Sequence, residues 1–83
     1  MAKRLDMQAF GQRIARARAK GGWTQQQLAE RTGLVQAAIA KLERARQAAV
    51  RADTVMALAE GLGCSADYLL GLSGEEPDEE DAA

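Results

Sequence analysis

The side chains that can do chemistry in this sequence are hydrogen-bond donors and cations. The chain has no histidine and one cysteine, Cys64. Lack of histidine removes the commonest general base and the commonest metal ligand. One thiol makes neither an intramolecular disulfide nor a multi-cysteine metal site. No nucleophile–base pair, glycine-rich phosphate loop or metal set stands out, so the sequence reads as a non-enzyme without a cofactor. What remains suits polyanions. Gln25 follows Thr24 at the start of a helical pattern, where side-chain and backbone N–H groups can hold a phosphate. Arg44, Arg46 and Arg51 follow a second helical pattern, and a cluster of this kind favours phosphate contact over a merely solvated surface.

The elements that position these groups lie in Thr24 to Glu43, TQQQLAERTGLVQAAIAKLE. Leu28 and Ala29 face inward from one short helix, and Ile39 and Leu42 do so from the next, at helical spacing. Between them, Gly33 can end a helix in the left-handed region without a Cβ penalty, and Leu34 can plug the angle. Ala29 is small enough for the helices to cross closely. These are the signs of a helix-turn-helix, whose second helix enters the DNA major groove.

The remaining chain reads as support. Residues 1–5 form a flexible basic arm, residues 6–72 one domain, and residues 73–83 a disordered acidic tail. Asp6 caps a helix running to about Lys20, with Phe10, Ile14 and Ala17 buried and Arg13, Arg16 and Lys20 outward. Gly21-Gly22 stops it, and Trp23 serves as a core anchor. Thr24 caps the second helix, with Gln27 completing a capping box. The third runs from Val35 or Gln36 to about Arg44. Ala52 to Leu62 makes the fourth, closed by Gly63, and Ala66 to Leu70 the fifth, capped by Ser65. Cys64 behaves as a small hydrophobe. No strand alternation is sustained, so the fold is all-α with five helices.

Charge separates along the chain. Of twelve acids, six lie in residues 75–83 with no base, while all eleven Lys and Arg precede residue 74 beside the other six acids. A basic body with an acidic tail fits nucleic-acid binding. At 83 residues there is room for one small core, and neither a membrane-spanning run nor a signal peptide appears, so a cytoplasmic protein is expected.

The segments FGQRIARAR, WTQQQLAERTGL, QAAIAKLE and LAEGLGCSADYLLG together resemble the lambda-repressor-like, Cro/C1-type (XRE) DNA-binding domain over roughly residues 8–72. The resemblance implies roles. Gln25 matches the glutamine that holds a phosphate and braces the first recognition-helix residue, Gln36. Gln36 is then placed for a bidentate contact to adenine, with Ala37 and Lys41 on the same face and Val35 near a thymine methyl. Thr24, Gln25, Arg18, Arg44 and Arg46 are the expected phosphate contacts. Arg18 and Glu43 also match an ion pair tying the first helix to the third. Three departures stand out. Val35 replaces the usual Ser or Thr cap of the third helix, Ala45 stands where the Glu-x-Gly turn has glycine, and the following loop lacks its proline.

The expected function is a transcriptional regulator, a repressor by preference, that binds a near-palindromic operator in double-stranded DNA as a homodimer. Tyr68, Leu69 and Leu72 are candidates for the dimer patch, with intramolecular burial as the competing assignment for each. The alternative is an antitoxin-like or other protein-interaction module whose main partner is a protein, with the acidic tail suited to a basic one.

Overall fold

The first helix begins where Asp6 accepts hydrogen bonds from the backbone N–H groups of Gln8 and Ala9, both at 3.1 Å. It forms α1, Met7–Gly21. The chain then builds α2 (Gln25–Thr32), α3 (Gln36–Glu43), α4 (Ala52–Leu62) and α5 (Ala66–Leu70). This computed structural model describes residues 4–72, and no strand occurs among them. The basic arm and the acidic tail expected at the two ends therefore fall largely outside the described residues. Leu5, at the edge of the arm, packs against the core.

Apolar stripes on all five helices meet in one core. Phe10, Ile14, Leu28, Ile39, Leu58 and Leu69 are fully buried, and Leu42 is almost so. Each such side chain stabilises the fold by about 1.5–3 kcal/mol relative to exposure. Among the described residues this core is made of apolar side chains and Tyr68. The α1–α3 contact is close because residue 11 is glycine. A Cβ there would collide with the Leu42 carbonyl oxygen and stand 3.1 Å from that of Glu43. The small residue lets α1 lie directly on the C-terminal carbonyls of α3.

Among the described residues no helix is long and apolar enough to cross a membrane, and no group of three or more His, Cys, Asp or Glu could hold a metal ion.

Candidate nucleic-acid interface

The second helix is defined by its own ends. Thr24 Oγ1 accepts from the Gln27 backbone N–H at 3.0 Å, and the Gln27 side chain accepts from the Thr24 N–H at 2.9 Å. This reciprocal box satisfies two N–H groups that the helix start leaves without carbonyl partners. At the other end Gly33 takes φ 76°, and its N–H bonds the Ala29 carbonyl. Thr32 Oγ1 donates to the Leu28 carbonyl at 2.8 Å and accepts from the Leu34 N–H at 3.2 Å. The turn thereby delivers half-buried Leu34 to the core and turns the chain into α3.

The third helix has weaker ends. Val35 occupies the N-cap in extended geometry and supplies no side-chain bond. Ala45, just past the helix, has φ 55°, the one positive φ outside glycine among the described residues. Two backbone bonds close the end there, Ala45 N–H to Leu42 O and Arg46 N–H to Lys41 O. That pattern normally uses glycine, because a Cβ in the left-handed region is strained. Ile39 and Leu42 are buried, whereas Val35, Gln36, Ala37 and Lys41 are all exposed. Val35 is 68% exposed, a large apolar side chain held out to solvent.

Three elements converge on Glu43 and fix the angle of α3. Arg18 Nε donates to Glu43 Oε2 at 2.7 Å and its Nη2 to Oε1 at 3.0 Å, a bidentate pair. Arg18 Nη1 donates to the Trp23 carbonyl at 2.9 Å. Gln25 Nε2 donates to Glu43 Oε1 at 3.0 Å. The Glu43 side chain is only 8% exposed, and that of Arg18 is 21% exposed. The hydrogen bond to Glu43 raises the Arg18 pKa, against the opposing effect of burial, so the guanidinium is charged throughout the working range.

Two of the expected residues meet at this node. Gln25, expected to brace Gln36, donates to Glu43 at the far end of α3. Arg18 is the expected ion-pair partner of Glu43, and all three of its guanidinium nitrogens are engaged within the fold. These bonds are those of the structural ion pair and its support.

Of the other expected contacts, Thr24 is exposed at the α2 start, and Arg44 and Arg46 are exposed beyond α3. Arg51 is drawn into a solvent-exposed pair with Asp53 at 3.0 Å. The candidate dimer patch divides. Tyr68 and Leu69 are 4% and 0% exposed and belong to the core, since α5 is a single turn that packs its apolar side on α1 and α4. Leu72 is 72% exposed. Cys64 is half-buried, and desolvation raises its thiol pKa.

One support had no local signal. Arg31 stacks its guanidinium 3.9 Å from the centre of the Trp23 ring and donates from Nε to the Gly61 carbonyl at 2.8 Å. Trp23 is thus half-buried under a cation and pins the start of α2 to the end of α4. Only the packing of α2 on α4 brings these groups together.

Comparison with known proteins places this arrangement. No curated protein matches the chain. The chain resembles the restriction-modification controller protein C.AhdI from Aeromonas hydrophila at 30% identity, covering 77% of this chain and 96% of that one, with a TM-score of 0.73. It resembles the P22 c2 repressor, solved with synthetic operator 9T, at 33% identity over 80% and 98% of the two chains, with a TM-score of 0.72. The clp gene regulator ClgR from C. glutamicum is similar at 26% identity over 82% and 87%, with a TM-score of 0.71. The helix-turn-helix family model matches residues 14–69, which span α2, the Gly33 turn, α3 and their supports. With that match and these likenesses, the chain belongs to the Cro/C1-type (XRE) helix-turn-helix family of DNA-binding transcription regulators.

Proposed function

We propose that the protein binds operator DNA as a homodimer and represses transcription, with α3 in the major groove. One observation carries this reading. Val35, Gln36, Ala37 and Lys41 form an exposed face on a helix whose orientation is locked by Glu43 to Arg18 and Gln25. A fixed helix with an exposed polar edge is what direct readout requires. Gln36 makes no side-chain hydrogen bond among the described residues, so its amide is available for adenine N6 and N7. Lys41 reaches guanine or phosphate, and Val35 and Ala37 add apolar contact to thymine methyls. Thr24, the N–H groups at the start of α2, the second amide hydrogen of Gln25, Arg44 and Arg46 hold the flanking phosphates. With only two hydrogen-bonding side chains on the reading face, specificity is modest, and phosphate contacts and DNA shape supply much of the affinity.

The similarity to the P22 c2 repressor, solved on a synthetic operator, supports an operator as ligand. Exposed Leu72 fits a place in the dimer contact. A two-fold dimer sets its recognition helices about 34 Å apart, one DNA turn, and so reads a near-palindrome. Selection from a random DNA library with wild type and Gln36→Ala tests the proposal. A palindrome enriched by wild type should blur at defined positions with the variant. No enrichment by either protein at moderate salt would overturn operator recognition.

A further inference from the structure

A short link, Gly22 to Thr24, joins α1 to α2. Trp23 at its centre bonds Arg18 twice. Its N–H donates to the Arg18 carbonyl at 3.1 Å, and its own carbonyl accepts from Arg18 Nη1 at 2.9 Å. The other guanidinium nitrogens of Arg18 grip Glu43 at the end of α3. The aim of α3 therefore depends on where the Trp23 carbonyl points. The Trp23 side chain is held from outside the link. The Arg31 guanidinium lies 3.9 Å from its ring centre, and Arg31 Nε donates to the Gly61 carbonyl at 2.8 Å. Gly21 comes close to the same indole, since a Cβ built there would stand 2.6 Å from Cζ3 and 2.7 Å from Cε3.

We propose that Arg31 is a positioning residue for α3. By covering Trp23 and anchoring to Gly61, it fixes the carbonyl that holds Arg18 on Glu43. The contacts run without a break from the end of α4, through Arg31 on α2 and the Trp23 link, to the end of α3. Each is directional. A cation over an indole face is drawn by the ring quadrupole, and a guanidinium N–H to a carbonyl is a charge-assisted bond. The link itself is pliant, because Gly22 turns at φ 77° with no Cβ to restrict it. Rotation of the Trp23 peptide is thus opposed mainly through the indole. At the anchor α2 and α4 approach closely, since a Cβ on Gly61 would stand 2.5 Å from Thr32 Cγ2.

The effect on the angle of α3 stands by itself. Its consequence for sequence discrimination rests on α3 being the helix that reads bases. A misaimed α3 loses base contacts, whereas phosphate contacts, which carry no sequence information, persist. Loss of folded protein lowers binding to every sequence alike.

The test compares Arg31→Ala and Gly21→Ala with Asp6→Ala, in the full chain and at a temperature where each is folded. Gly21→Ala displaces the indole directly, at a helical position where alanine is the better helix former. Asp6→Ala removes the cap at the far end of α1 and lowers stability without touching Trp23. Residual dipolar couplings of the α3 amides are fitted in the frame set by α1 and α4. They should depart from wild type in the first two variants and match it in Asp6→Ala. The Arg18 Nε–H signal should shift in the same two. If Arg31→Ala does not fold, Gly21→Ala decides. Couplings of α3 that keep the wild-type frame overturn the proposal, and so does an equal departure in Asp6→Ala. The second measurement is affinity for a duplex carrying the selected palindrome, divided by that for a scrambled duplex. This ratio should fall about tenfold in the first two variants, the discrimination of roughly one good base contact, and hold in Asp6→Ala. A reoriented α3 with an unchanged ratio supports Arg31 as its positioning residue and overturns the reading of bases by α3.

Discussion

The two helices of the helix-turn-helix are the same length, eight residues each, yet they are held by different means. The α2 helix is specified by its own sequence, with a capping box at one end and a left-handed glycine at the other. The α3 helix has neither, since Val35 offers no cap bond and Ala45 carries the left-handed turn. An isolated eight-residue helix is marginal in water even with good ends. What keeps α3 in place is tertiary: buried Ile39 and Leu42, the glycine approach of α1, and the Glu43 node. The difference teaches that the scaffold helix can form its ends locally, whereas the reading helix has an orientation set by neighbours. An N-cap side chain would be polar, but Val35 leaves that position apolar on the exposed face.

The strongest way to break this contrast is to remove the node. Glu43→Ala leaves the Arg18 guanidinium partly buried without its carboxylate, and stability should fall by about 3 kcal/mol, the low end for losing one partner of a buried pair. The denaturant midpoint should drop with an unchanged m-value. Because Glu43 raises the Arg18 pKa, the arginine's share of stability is fully present below its unfolded value. It is lost only as pH climbs through the higher folded one. The penalty from Glu43→Ala should therefore be equal at about pH 7 and pH 9.

Next comes Gly11→Ala. In an ordinary helix interior this change is favourable by about 1 kcal/mol. Here the new Cβ meets the Leu42 carbonyl, and the helices must part. A net loss of about 1–3 kcal/mol is expected, as for overpacking, with amide shifts concentrated in α3. A more stable protein would show that the α1–α3 approach is slack. Thr24→Ala should cost about 1 kcal/mol by removing the cap, measured by thermal unfolding, and should leave Gln36 and Lys41 in place. Ala45→Gly sharpens the contrast from the other side. Releasing the left-handed strain should gain about 0.5 kcal/mol once the entropy of glycine is counted. A loss there would mean that the turn after α3 is unstrained.

Much of this was legible in the residues. The Thr24–Gln27 box, the Gly33 turn and the apolar spacing locate α2 and α3 to within a residue. The missing cap at Val35 and the uncertain turn at Ala45 are visible as departures from the family pattern. The burial of Tyr68 and Leu69 was undecided by sequence, since an apolar residue on a one-turn helix serves a core or an interface equally well. The engagement of Gln25 with Glu43, and of Arg31 with Trp23 and Gly61, left no trace in local spacing.

By itself the sequence determined which segments are helical, where they stop and which faces are apolar. Caps, glycine turns and periodicity act between residues a few positions apart, so their physics is contained in a short stretch. Tertiary structure alone decided how α3 is aimed, which arginine is spent on the fold and which hydrophobic residues stay outside. Those outcomes depend on groups such as Arg18 and Glu43, 25 positions apart. Such groups meet only after the core has closed and set the distances between helices.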